Sequence, residues 1–245
     1  MKATSVHNVI PRPDGPCDDR IEAFPEDQLF ALIDASGPAY GGYHRPIGVE
    51  PGVKAMIEAW REVTGDPTAA MHKALAHANS AMIEAGGNWN GDAQRIIETG
   101  EGELVHPTAS ITVVALNEET WAVGHVGSNA AWLVREGYAE RIATPHTLMQ
   151  QMIDEGRRSE LEPWQSQVVT RLVGFGIALN PDVNTMTAAP GDVVVLCSKG
   201  LWQGLPEHLL EAPIRKGLRG EPLVAALLEH GDPNQDRTVL IIEGR

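Results

Sequence analysis

Cysteine is almost missing from this chain: Cys17 and Cys197 are the only two. They lie far apart, so they form neither a disulfide framework nor a zinc-ligand spacing. Cys197 sits in an apolar run and is expected to pack as a small hydrophobe. Large aromatics are also scarce, with three Phe and three Tyr. Aliphatic side chains must therefore build most of the core. Positive charge is in short supply too: 19 Lys and Arg face 33 Asp and Glu, a net charge of −14. Such a surface disfavours nucleic acid and anionic membrane, which need clustered cations. No stretch approaches the roughly 18 apolar residues of a membrane helix. The start, Met1-Lys-Ala-Thr-Ser-Val-His7, lacks the apolar run of a signal peptide. The chain is expected to be soluble and cytoplasmic. No Gly-x-Ser-x-Gly nucleophile elbow, Walker-type phosphate loop or internal repeat is present.

Periodicity gives a coarse order of elements. The first twenty residues are rich in Pro, Gly and Asp and read as a loop or irregular edge. Leu29 to Ile33 is a short apolar run ending at Asp34, with Gly37 and Pro38 beyond it, the pattern of a buried strand. Glu50-Pro51 opens a helix with Val53, Ile57 and Trp60 on one face. Asp66-Pro67-Thr68 opens a second, with Met71, Leu75, Ala78 and Met82 at helical spacing and Gly86-Gly87 as its stop. Asn88 to Pro107 reads as a long polar loop. Strands are expected over Ser110–Leu116, Thr120–Val126 and Ala130–Val134, joined by turns at Asn117–Glu119 and Gly127–Asn129. Thr147 to Glu155 looks helical, and Gly156 to Val173 polar and mobile. Val193–Cys197 and Thr238–Ile242 are further strands, with helical pieces at Pro206–Leu210 and Glu221–His230 between them. Trp60, Trp132, Trp164 and Trp202 read as packing residues, Trp164 being the one placed in a polar segment. Clustered strands with helices outside them indicate a layered α+β domain around a β-sandwich.

Several segments, in order along nearly the whole chain, resemble the metal-dependent Ser/Thr phosphatases of type 2C in their compact bacterial form. Phe30-Ala-Leu-Ile-Asp34-Ala-Ser-Gly37 is similar to a strand ending in Asp-Gly-x-Gly. His77-Ala-Asn79 is similar to an Ala-Asn helix motif, and Pro107-Thr-Ala-Ser110 to the Gly-Thr-Thr strand. His125-Val-Gly-Ser128-Asn-Ala-Ala-Trp-Leu133 resembles His-Val-Gly-Asp-Ser-Arg-Ala-Tyr-Leu, and Thr144-Pro-His146 an Asp-His-Ser turn. Val169-Thr-Arg171-Leu-Val-Gly174 resembles Leu-Thr-Arg-Ala-Leu-Gly. Pro190-Gly-Asp192 through Cys197-Ser-Lys199-Gly-Leu201 resembles Pro-Gly-Asp…Leu-Cys-Ser-Asp-Gly-Leu, and Asp236-Arg-Thr238-Val a closing Asp-Asn-x-Thr-Val strand. The resemblance implies one domain over 1–245: an α+β, four-layer α-β-β-α sandwich of two antiparallel sheets flanked by helix pairs. It also implies two-metal hydrolysis, in which carboxylates at strand ends hold Mn²⁺ or Mg²⁺ and the ions activate a water.

Carried onto this chain, the family's ligands meet substitutions. Asp34 matches the central bridging aspartate, and Ala35 stands where a glycine carbonyl binds. Asp18 and Asp19 fall on the acidic Asn-Glu-Asp motif. Ser128 replaces an aspartate of a third metal, and Lys199 replaces a direct ligand. Gln235 falls on the last aspartate if Asp236 matches the following Asn; a one-residue slip makes Asp236 the ligand. Arg12 is the nearest match to the phosphate-binding arginine. Lys199 matters most. At roughly 4 Å an ammonium repels a divalent cation by several kcal/mol, even at an effective dielectric near 20. It reads as a metal surrogate paired with Asp34 and Asp19; the alternative is that it reaches solvent beside a working site. His44, His125 and His146 are weaker acid–base or metal candidates, because the fold pattern alone accounts for His125 and His146.

Two functions follow. In one, the chain is a pseudophosphatase without metal, or with weak Mn or Mg, that binds a phosphoprotein or a Ser/Thr kinase through the inherited groove and the 156–167 flap. In the other, it is an active phosphoprotein phosphatase with a reduced site of Asp19, Asp34 and Asp236. A small-molecule hydrolase has no positive support.

Overall fold

The computed structural model describes residues 1–13, 17–36, 49–86, 107–162, 165–166 and 168–244. Ten strands form two antiparallel five-stranded sheets. The first sheet comprises β1 (Ala3–Ile10), β10 (Arg237–Gly244), β9 (Val193–Cys197), β6 (Ala130–Arg135) and β7 (Tyr138–Ala143), in that order. The second comprises β2 (Asp19–Phe24), β3 (Leu29–Ser36), β4 (Thr108–Asn117), β5 (Thr120–Val126) and β8 (Asp182–Thr187). Among the described residues there are six α-helices: α1 (Val49–Glu62), α2 (Pro67–Gly86), α3 (Leu148–Asp154), α4 (Lys199–Trp202), α5 (Glu207–Arg215) and α6 (Gly220–Leu228).

The central strands are apolar on both faces because both faces are covered. Side chains alternate across a strand, so each strand feeds two layers. Leu29, Ala31 and Ile33 of β3 pack with Met56 of α1 and Met71, Leu75 and Met82 of α2. Phe30 and Leu32 point the other way, into the space between the sheets, with Val194, Leu196, Leu240 and Ile242. Val193, Val195 and Cys197 of β9 then face Leu201, Leu210, Leu223 and Leu227 of α4 to α6. Three apolar layers therefore separate four layers of structure, an α-β-β-α sandwich. Cys197 is fully buried within it.

Local chemistry fixes several boundaries. Asp66 Oδ1 accepts from the N–H groups of Thr68 (2.9 Å) and Ala69 (3.2 Å), which caps α2. The Thr147 hydroxyl accepts from Gln150 N–H (3.1 Å) and caps α3.

Two expectations need correction. The first twenty residues are not all loop: β1 pairs along its whole length with β10, and β2 begins at Asp19. Strands β7 and β8 gave no sequence signal, since they are polar edge strands supported on one side only. The described part of the 156–173 segment holds a 3₁₀ turn at Arg158–Glu160 and is docked by bridges Thr147–Val169 and Ala109–Val173, with Val173 fully buried. The expectations for Gly37, Pro38, His44, the 88–106 loop and Trp164 lie outside the described residues. No helix among the described residues is long and apolar enough to cross a membrane.

Candidate functional site

Strand ends from both sheets converge on one cleft of about 540 Å³. Sheet pairing sets Asp19 directly opposite Asp34. The chain leaving β9 supplies Ser198 and Lys199, and the residues entering β10 supply Gln235 and Asp236. Arg12, Asp18, Ala35 and Ser128 complete the lining, together with Asp232 and Asn234. Gly200 makes this convergence possible. A Cβ there would run into the Asp236 carbonyl oxygen and the Gln235 side chain.

Arg12 is committed within the cleft. Its Nη1 donates to Asp236 Oδ2 (2.9 Å), its Nη2 to Asp18 Oδ2 (2.9 Å) and its backbone N–H to Asp236 Oδ1 (2.7 Å). Asp18 N–H also donates to Asp236 Oδ2 (3.1 Å). One guanidinium thus joins two buried carboxylates. Asp18 Oδ1 is buried with no hydrogen-bond partner among the described residues. The Gln235 side-chain amide donates to Asp232 Oδ2 (2.9 Å), and Ala35 N–H to Asp18 O (3.0 Å).

The remaining carboxylates are electrostatically stressed. Burial pushes Asp34 up to about 6, and the charges of Asp18 and Asp236 push the same way. Lys199 and a hydrogen bond from Ser128 Oγ (3.3 Å) oppose that rise. Asp19 is raised well above the ordinary carboxylate range, first by burial and then by Asp34. Hydroxyl donors resist that: Thr238 Oγ1 donates to Asp19 Oδ2 at 2.5 Å, and Ser198 also bonds it. Lys199, only 8% exposed, has its ammonium lowered by burial and sustained by Asp34. The buried ammonium therefore acts on Asp34, while Asp19 leans on hydroxyls. Among the described residues, no group of three or more His, Cys, Asp or Glu is arranged to hold a metal ion.

The Ser128 turn is braced from behind. Gly127 takes φ +115, and a Cβ there would strike Ser110. Ser110 Oγ and Ser128 Oγ lie 3.0 Å apart, and Trp202 Nε1 donates to Ser128 O (2.7 Å). Gly127 N–H donates to His146 Nδ1 (3.1 Å), which leaves the Nε2 proton facing Asp182 Oδ2 (3.0 Å). Arg171 Nη1 donates to Asp182 Oδ1 (2.9 Å). His125 packs against His146 with ring centroids 4.7 Å apart, and burial lowers it to about 3. Neither histidine lines the cleft. They shape the turn that presents Ser128. Sequence reading overlooked Ser198, Thr238, Asp232 and Asn234 in the site. The signal available for Ser198 and Thr238 was their place beside Lys199 and Asp236.

The fold is that of the PPM-type (type 2C) bacterial Ser/Thr phosphatases. The chain is similar to the putative protein phosphatase 2C-type of Streptococcus pyogenes, with 28% identity over 112 residues. That match takes in 44% of this chain and 46% of the relative, so about half of that protein is spanned. The Ser/Thr phosphatase PstP of Mycobacterium tuberculosis superposes with a TM-score of 0.73 at 20% identity, covering 99% of both chains. A structure of the PstP catalytic domain in complex with two manganese ions superposes with a TM-score of 0.67 at 20% identity, over 98% of this chain and 99% of that one. No protein-family model matches the chain.

Proposed function

We propose that this chain is a catalytically impaired phosphatase-like protein that acts by binding a signalling phosphoprotein or a Ser/Thr kinase. The observation that carries this reading is Lys199: a buried ammonium in the carboxylate cleft whose charge acts on Asp34. A hard divalent cation needs several oxygen ligands and no competing cation. Here Arg12 also ties up one oxygen of Asp18 and both of Asp236, and Gln235 offers an amide already turned to Asp232. We read this donor set as unfit for a two-metal cluster, and Ser128, Lys199 and Gln235 as its degenerate positions. The cleft then serves recognition, with Arg12 and Lys199 offsetting part of the charge of its five carboxylates.

A second reading keeps phosphatase activity with a reduced site of Asp19, Asp34 and Asp236, holding Mn or Mg weakly. The open Asp18 Oδ1 and the adjacent Asp19 and Asp34 favour it. Calorimetric titration with Mn²⁺ and hydrolysis of p-nitrophenyl phosphate separate the two. The first reading expects no saturable heat and no metal-dependent turnover. Turnover of about 1 s⁻¹ or more that disappears in Asp34→Ala would establish the second.

A further inference from the structure

The far end of the first sheet carries a second concavity, of about 490 Å³, that the cleft does not explain. β9 runs from Val193 at this end to Cys197 at the cleft, and β6 runs back from Ala130 to Arg135. Five residues of strand separate the two sites by on the order of 15 Å. In a chain of net charge −14, this concavity is lined by three arginines: Arg135, Arg215 and Arg219.

Each guanidinium is anchored on one side. Arg135 Nε and Nη2 donate to Asp192 Oδ1 and Oδ2 (2.8 Å each), and Nη2 also donates to Thr187 O (2.8 Å). Arg215 Nε donates to Gly137 O (2.8 Å), and its Nη2 to Glu211 Oε2 (2.5 Å). Arg219 Nη1 donates to Ile214 O (3.0 Å) and Leu218 O (2.8 Å). Arg135 Nη1, Arg215 Nη1 and Arg219 Nη2 have no protein acceptor among the described residues. Anchoring removes much of the rotamer freedom that binding would otherwise have to freeze. A held guanidinium edge matches the geometry of a phosphate or carboxylate. Of the two carboxylates in the lining, Asp192 is fully buried and held by Arg135. Glu136 is the other, and no described residue hydrogen-bonds its side chain. Tyr138, 70% exposed, lies under the Arg215 guanidinium with 5.0 Å from its carbon to the ring centroid. It offers an apolar ledge beside the cations.

We propose that this concavity binds an oxyanion, the phosphate group of a phosphorylated peptide segment, with Arg215 and Arg219 as its donors and Tyr138 under the flanking residues. The site is independent of what the cleft does.

The test titrates the ¹⁵N-labelled chain with a phosphoserine peptide, its unphosphorylated twin and inorganic phosphate. The phosphopeptide should shift the amides of Gly137 and Gly191, and any shift of Ser198 and Gly200 reports the cleft separately. Arg219→Glu should weaken binding read at Gly137 and Gly191 about tenfold or more, and Asp34→Asn should leave the response of those two amides unchanged. Glu136→Gln breaks no hydrogen bond and removes the opposing charge, so it should tighten binding about threefold. It is informative even if the arginine variant fails to fold. Inorganic phosphate should move the same amides more weakly, for want of the Tyr138 contact. Shifts confined to the cleft, equal binding of the unphosphorylated twin, unchanged affinity in Arg219→Glu, or no tightening in Glu136→Gln would each overturn the proposal.

Discussion

At the scale of single residues, Lys199 and Asp34 set the electrostatic state of the cleft. Replacing Lys199 by Ala removes the ammonium whose charge opposes the stress on Asp34, so the variant should melt below wild type at neutral pH. Lys199→Asp should destabilise the metal-free chain further, yet gain stability from added Mn²⁺ through linkage to binding. Thermal melting of wild type and both variants, with and without Mn²⁺, measures this. Equal gains by wild type and Lys199→Asp would remove the surrogate role. The sign of the pH dependence follows from Asp34. Its folded value of about 6 lies above the ordinary 3.8. The fold therefore favours the protonated acid. That contribution is complete below about 3.8 and lost as pH rises through about 6. Carboxyl NMR should find an Asp34 midpoint near 6, and Lys199→Ala should raise it, because the lysine pulls it down. A midpoint that falls in the variant would contradict that influence.

At the scale of elements, the short helix α4 is where the two sheets' contributions are locked together. Gly200→Ala should push α4 away from the Gln235–Asp236 backbone and lower the melting temperature, since the Cβ meets backbone rather than a movable side chain. Trp202→Phe deletes the bond to Ser128 O and leaves that carbonyl buried, at a cost of about 1–3 kcal/mol by chemical denaturation. Asp66→Ala removes the α2 cap, at about 0.5–2 kcal/mol. These elements also show what a sequence displays. α1 and α2 announce themselves by an apolar face, a Pro near the start and, for α2, the Asp66 cap. β3, β4 and β9 announce themselves as apolar runs, because both of their faces are covered. β1, β7 and β8 are edge strands of mixed polarity. Their strand character comes from a partner distant in the chain, and no local pattern encodes it.

At the scale of the whole molecule, both cysteines should be inert in the native state. Burial pushes Cys17 up to about 12 and raises Cys197 further. The reactive thiolate is therefore scarce at pH 8. A thiol-reactive dye should label neither cysteine until denaturant unfolds the chain, and should then label both together; rapid labelling of Cys17 alone would show that its surroundings open independently. Residue order alone determined the apolar layers, the paired helices and the arrival of Asp34, Lys199 and Asp236 at strand ends. Those follow from side-chain alternation and from a run of segments similar to one family. Tertiary structure decided what these groups do to one another. It turned Arg12 from a free anion donor into a clamp on Asp18 and Asp236, and set the Lys199 charge to act on Asp34 while Thr238 and Ser198 hold Asp19. It also brought Arg135, Arg215 and Arg219 together at the opposite end of the sheet. Hydrogen-bond partners and desolvation depend on which strand ends meet in space, and that is written in no single stretch of the chain.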